Sequence, residues 1–231
     1  MKKRLTYQQR DNIEKACFIF VQAILFVLVF ISENEWHGLA CLGCVINPFV
    51  YSLKFLSYDK LAIFTQIGLL FTVFSDLFLC VIKPQFKAVA MTLFAIAQIC
   101  YFIRLLLLTK HKPIHAVIRA ICSAGAIVAT FLVLQDKVDY LSVISMFYYT
   151  NLILNFVYAL AFVKKSPLFA LGLFLFILCD TLIGIEIGAG TYLNINESSV
   201  IYQLTQLPFS LAWVFYIPSQ ACIALSLHKT N

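Results

Sequence analysis

The chain has 231 residues, of which 62% are hydrophobic and only 12% charged, and its mean hydropathy is +0.91. A soluble domain carries about 25% charged residues, so that class is excluded. The net charge of +6 has to be explained by where the charges stand.

A membrane-spanning helix needs about 20 mostly apolar residues, within a range of roughly 17–25. Eight windows of that kind can be drawn, at 15–32, 37–56, 61–82, 86–108, 115–134, 140–163, 167–189 and 200–227. They take up nearly the whole chain, which reads as one all-α integral membrane domain, 1–231, a polytopic bundle of eight transmembrane helices. The connections between the first seven windows are short, "SYDK" at 57–60 and "KKSP" at 164–167 among them, and short connections make sequential helices antiparallel neighbours.

Lys2, Lys3, Arg4, Arg10 and Lys15 precede the first span, which predicts a cytoplasmic N-terminus. Alternating from there, fourteen of the 17 lysines and arginines fall on the cytoplasmic side, and only Lys83, Lys87 and Lys137 on the other. An even number of spans with both termini cytoplasmic follows, and the basic balance needs no nucleic acid as partner. The first span also has the basic-then-apolar order of a signal sequence. However, "VLVFISENEWHG" has no small-x-small cleavage site and a second span follows at once, so a retained helix is expected.

The second span contains Cys41 and Cys44 without a second C-x-x-C pair, which reads as helix packing. It also contains Asn47-Pro48 near its middle, where a proline frees a backbone carbonyl toward a cavity. The third carries "FSDLFLC" with Asp76, and the fourth "AIAQICYFI" with Gln98 and Tyr101. In the sixth, Asn151 and Asn155 lie one turn apart and share a face. The seventh carries "LCDTLIG" with Asp180, and Glu186 nearer its outer end; the eighth carries "YIPSQACIAL" with Tyr216 and Gln220. An acid followed by a glutamine thus recurs in each half, which suggests two four-helix parallel repeats.

A carboxylate near the bilayer centre costs about 2.5–3.5 kcal/mol on insertion scales, and such groups face a bundle interior or a water-filled cavity. Asp76 stands fifteen residues past Leu61 and Asp180 thirteen past Pro167, both somewhat beyond the midplane. They converge if the third and seventh helices are adjacent. No lysine or arginine is placed at that depth by the window assignment, so the pair reads as an acid–base site. The histidines, at 37, 111, 115 and 228, lie at span ends, and neither a metal nor a cofactor is expected. No G-x-S-x-G elbow or Gly-rich phosphate loop occurs, which leaves carboxylates and water for any hydrolysis.

In this order and spacing, "SDLFL" at 75–79, a polar residue then Tyr in the fourth span, "CDTLI" at 179–183 and "YIPSQ" at 216–220 resemble the lysoplasmalogenase (YhhN) family of eight-span membrane proteins. The likeness runs across essentially the whole chain. The family's third-span motif reads like G-D-x-x-L, its seventh like S-D-x-x-L, and its last span carries Y-Y-x-x-Q. Two positions depart: Asn47 stands where the family usually has Lys before Pro, and Gln98 where it usually has His. The resemblance implies a hydrolase for the vinyl ether bond of lysoplasmalogens, acting on a lysophospholipid drawn from membrane lipid and releasing a fatty aldehyde and a glycerophospho-base. It implies Asp76 and Asp180 as the catalytic acids, with Asn47, Gln98, Tyr101, Asn151, Asn155, Tyr216 and Gln220 as cavity-lining candidates. Two neighbouring acids titrate as a unit, one giving a proton to carbon and the other holding water. Two other classes fit the intramembrane acids, a proton-coupled small-molecule transporter and a non-catalytic lipid-binding membrane protein. The membrane is a cell membrane in a bacterium or an internal one in a eukaryote.

Overall fold

The computed structural model describes residues 6–55, 60–82, 84–109, 112–191, 200, 203 and 210–228. Among them the chain is helical throughout: α1 (Tyr7–Ile31), α2 (Asn34–Ser52), α3 (Lys60–Asp76), α4 (Lys87–Leu106), α5 (Lys112–Leu134), α6 (Tyr140–Leu160), α7 (Pro167–Thr191) and α8 (Leu211–Leu225). The first seven are long and apolar enough to cross a membrane. The eighth predicted window is represented by α8, whose 15 residues rise about 22 Å; most of 200–210 lies outside the described residues.

Local chemistry sets the ends. α1 begins eight residues before its predicted window because Thr6 and Gln9 form a reciprocal capping box, and Arg10 pairs with Glu14 one turn on at 2.9 Å. Asp139 and Ser142 cap α6 in the same way. α7 opens on Pro167, whose missing N–H would have no intrahelical partner in a first turn.

Pro48 does not break α2, which continues through it. The carbonyl freed one turn earlier, that of Cys44, accepts from Gln22 Nε2 of α1 at 2.9 Å. Gln22 in turn accepts from Asn47 Nδ2 at 2.8 Å. The polar groups around the proline therefore join α1 to α2, and Asn47 belongs to that seam.

α4 is the centre of the bundle: half of its apolar window is buried, against 17% for α1 and α5 at the periphery. It packs chiefly on α3 and α6, while α7 packs most extensively on α8. Gly172 permits the second approach, since a Cβ there would stand 3.0 Å from the carbonyl oxygen of Ser219 and 2.7 Å from Ile223. The start of α1 and the end of α8 lie at the same end of the bundle: Lys54, just after α2, pairs with Asp11 at 2.9 Å, and Tyr51 of α2 hydrogen-bonds His228. At that end Arg104 is buried, bonded to Thr65, Ser166 and Ser226 and stacked on Phe169. It fastens α4 to three neighbouring segments.

Candidate functional site

α3 carries Asp76 to its last α-helical position, and the next six residues, Leu77–Ile82, widen into a π-helical segment. Such segments occur mostly as local bulges and often at functional sites. Ser75, beside the acid, donates to the carbonyl of Ala90 at 2.7 Å, which fixes this part of α3 against α4. Asp76 is only 2% exposed, and its Oδ2 accepts from the phenol of Tyr216 on α8.

Asp180 of α7 is partly exposed, and its Oδ2 accepts from the phenol of Tyr148 on α6. Both tyrosines are buried. Their rings share two aromatic neighbours. Phe94 lies 5.5 Å from Tyr148 and 6.5 Å from Tyr216, and Phe176 lies 6.3 and 5.2 Å from them, between ring centroids. The two acids are thus tied, each through its phenol, to one aromatic cluster. The third and seventh helices do not meet face to face; α8 packs on both, and Tyr216 brings it to Asp76.

Neither acid has an ion-pair partner among the described residues. A buried carboxylate without a base nearby is retained at a cost of several kcal/mol unless its hydrogen bonds are made, and here a phenol supplies one to each. Gln220, one turn after Tyr216, is fully buried, and among the described residues neither atom of its amide has a partner; the same holds for Gln98 Nε2 and the hydroxyl of Ser219.

The remaining candidates separate. Tyr101 packs edge-on to Phe169 at 5.7 Å and lies against Gly68, where a Cβ would strike its ring; it closes α4 onto α3. Asn151, Asn155 and Gln98 form a second polar system. Asn155 Nδ2 donates to Gln98 Oε1 at 2.8 Å, and its Oδ1 accepts from Arg119 Nη1 at 2.8 Å. Arg119 also donates from Nε to Asn151 Oδ1 and from Nη2 to the Asn151 carbonyl.

Arg119 is a correction to the sequence reading, which counted it among the cytoplasmic charges. It is 9% exposed, lies inside α5, and reaches Asn151 at the middle of α6. A base does stand inside the helical bundle, although it pairs with amides and with neither acid. Tyr148 was also missed; it shares a face with Asn151 and Asn155 at spacings of three and seven, a signal present in the sequence.

Cys41 and Cys44 are fully buried and pack with Val29, Ala40 and Ile217. His37 Nε2 lies 3.6 Å from Cys41 Sγ, a histidine near the pair that the sequence reading does not expect. Among the described residues no group of three or more potential ligands is arranged to hold a metal ion.

The YhhN family model matches residues 43–227, most of the chain and all of the helices that carry the acids, their phenols and Arg119. No curated protein and no solved structure matches. The chain belongs to the YhhN family.

Proposed function

From that membership and from the paired acids, we propose that this YhhN-family membrane protein hydrolyses the vinyl ether bond of lysoplasmalogen-type lysophospholipids. The observation that supports the reading is that Asp76 and Asp180 are each held by a buried phenol at one aromatic cluster, and among the described residues neither has a base as partner.

The chemistry follows from what a vinyl ether requires. One carboxyl, protonated, gives its proton to the alkenyl carbon distal to oxygen, leaving an oxocarbenium ion. The other, ionised, holds water and takes its proton as the water oxygen bonds to the cationic carbon. The resulting hemiacetal breaks its bond to the glycerol oxygen, which leaves as an alcohol, and the former alkenyl chain departs as an aldehyde. One water is consumed and nothing is oxidised. Each phenol occupies one carboxyl oxygen, Oδ2 in both cases, which leaves Oδ1 for proton transfer. Gln220, whose amide has no partner among the described residues, is assigned to hold the attacking water or the glycerol oxygen. A single-chain lipid enters such a site sideways from the bilayer, without crossing water.

The test is to supply purified protein with a lysoplasmalogen and with its 1-acyl ester analogue, and to measure aldehyde and fatty acid. Aldehyde from the vinyl ether alone, abolished in Asp76→Asn and in Asp180→Asn variants that still fold, supports the reading. Full activity in both variants sinks the acid pair.

A further inference from the structure

A groove of about 410 Å³ lies between α4, α5 and α6, apart from the acids, with Arg119, Ser123 and Asn151 among its lining residues. These three are buried and form its floor. Its rim is apolar and open: Ile99, Ala116, Ala120 and Ala124 line it and are exposed on the side of the bundle. It is therefore a lateral cleft with hydrocarbon walls and a cation at the bottom.

The guanidinium is built for a ligand. An arginine has five N–H donors and stays charged under all ordinary conditions. Arg119 spends three of them on Asn151 and Asn155, which leaves one on each terminal nitrogen, the fork that binds an oxyanion bidentately. Its guanidinium carbon lies over the Phe102 ring, 4.1 Å from the centroid, which helps to hold the fork in place. Ser123, whose Oγ accepts from Asn151 Nδ2 at 3.2 Å, has a hydroxyl proton of its own to donate. No carboxylate pairs with Arg119 among the described residues. Intramembrane bases of this kind mark ligand sites.

We propose that this groove binds the phosphate of a membrane phospholipid at Arg119 and Ser123, with the lipid chain along the alanine-lined wall. A tail-bearing anion is the occupant because walls and floor together match it: an apolar chain satisfies the rim and the phosphate neutralises the guanidinium. The second half of the inference rests on the hydrolysis reading. Tyr148, which holds Asp180, and Asn151, which holds Arg119, stand three residues apart on α6, about 4.5 Å along its axis, so one helix carries both the acid's partner and the groove's. The groove then selects phosphate-bearing substrates.

The experiment uses the full chain in an uncharged detergent and a saturated 1-alkyl-glycerol-3-phosphate, which has no cleavable vinyl ether. The comparison ligand is the same alkyl glycerol without phosphate. Direct binding should favour the phosphate by roughly ten- to hundredfold, the worth of charge-assisted hydrogen bonds. Arg119→Gln removes that preference, and Ala124→Phe, which fills the groove without touching the charge, weakens both ligands. Aldehyde release from a lysoplasmalogen is measured beside binding, so failure of hydrolysis and failure of binding read out separately. An unchanged phosphate preference in Arg119→Gln together with undiminished binding in Ala124→Phe overturns the proposal. Chainless glycerol 3-phosphate binding as tightly as the lipid overturns the lipid assignment.

Discussion

The hydroxyl of Tyr148 is the most informative single atom to remove. Tyr148→Phe deletes one oxygen and keeps the ring, which stays packed between Phe94 and Phe176. The perturbation is therefore the hydrogen bond to Asp180 and little else. A hydrogen bond to a charged group contributes about 1.5–3 kcal/mol, and leaving a buried acceptor unsatisfied costs a similar amount. If that bond holds the carboxylate in its working geometry through the reaction, aldehyde release falls about 10- to 100-fold. The neighbouring Tyr149 is the control: its hydroxyl bonds Thr181 Oγ1 at 2.7 Å and neither carboxylate, so Tyr149→Phe should stay near wild type. Thermal unfolding in detergent, measured for Tyr148→Phe, Asp180→Asn and the double variant, closes a double-mutant cycle. The expected coupling is at least about 1 kcal/mol, above the roughly 0.3–0.5 kcal/mol scatter of independent sites. Wild-type aldehyde release by Tyr148→Phe, with purely additive stability losses, would refute the role given to this phenol.

Other expected outcomes test the frame around the site. Gly172→Ala forces a methyl against Ile223 and the Ser219 carbonyl, at 2.7 and 3.0 Å. It should lower stability by about 1–3 kcal/mol in an unfolding assay, and lower activity as well, because α8 carries Tyr216. Gln22→Leu removes the donor to the Cys44 carbonyl that Pro48 leaves free and should cost about 1–3 kcal/mol. Adding Pro48→Ala restores a helical donor for that carbonyl, so the double variant should be more stable than the two single losses predict. His228, by the shared end of the bundle, is held below its ordinary value of 6.5 by burial, opposed by Asp11 and reinforced by Lys54 and Lys15. The neutral ring is thus favoured on folding. Its contribution is complete above pH 6.5 and declines as pH falls through the lowered folded value. Unfolding midpoints followed from pH 7.5 to 5 should show that decline, and His228→Gln should flatten it.

The helices were legible because lipid imposes one rule: every backbone polar group is satisfied within its own segment, so apolar length alone locates a span. Seven of the eight windows needed nothing more. Asp76 and Asp180 stood out for the same reason, as carboxylates in hydrocarbon. Helix direction and neighbours were less legible, since apolar residues on every face give no stripe to orient. That is why Asn47 was grouped with the cavity although it bonds Gln22 at the α1–α2 seam. Arg119 was misplaced for a different reason. Charge counting assigns a residue by its place along the chain, whereas a long side chain with five donors acts several ångströms away, here at mid-helix amides. The repeat suggested by the acid-then-glutamine echo does not extend to the phenols: Asp76 takes its tyrosine from α8 and Asp180 from α6.

This asymmetry makes α6 the element that relates the two polar systems. Tyr148, at its ninth position, holds Asp180, while Asn151 and Asn155, three and seven residues later, hold Arg119. Residues three, four and seven apart stack along one face of a helix, so one rigid segment fixes the distance between an acid and a cation contributed by α7 and α5. Neither of those helices needs to contact the other for the spacing to be kept. A single residue inserted between Tyr148 and Asn151 would turn the following face by about 100°. It would detach the guanidinium from its amides and leave the acids in place. The two systems are therefore separable in energy and joined in geometry, as a lipid held at its phosphate and cleaved a short distance away would require.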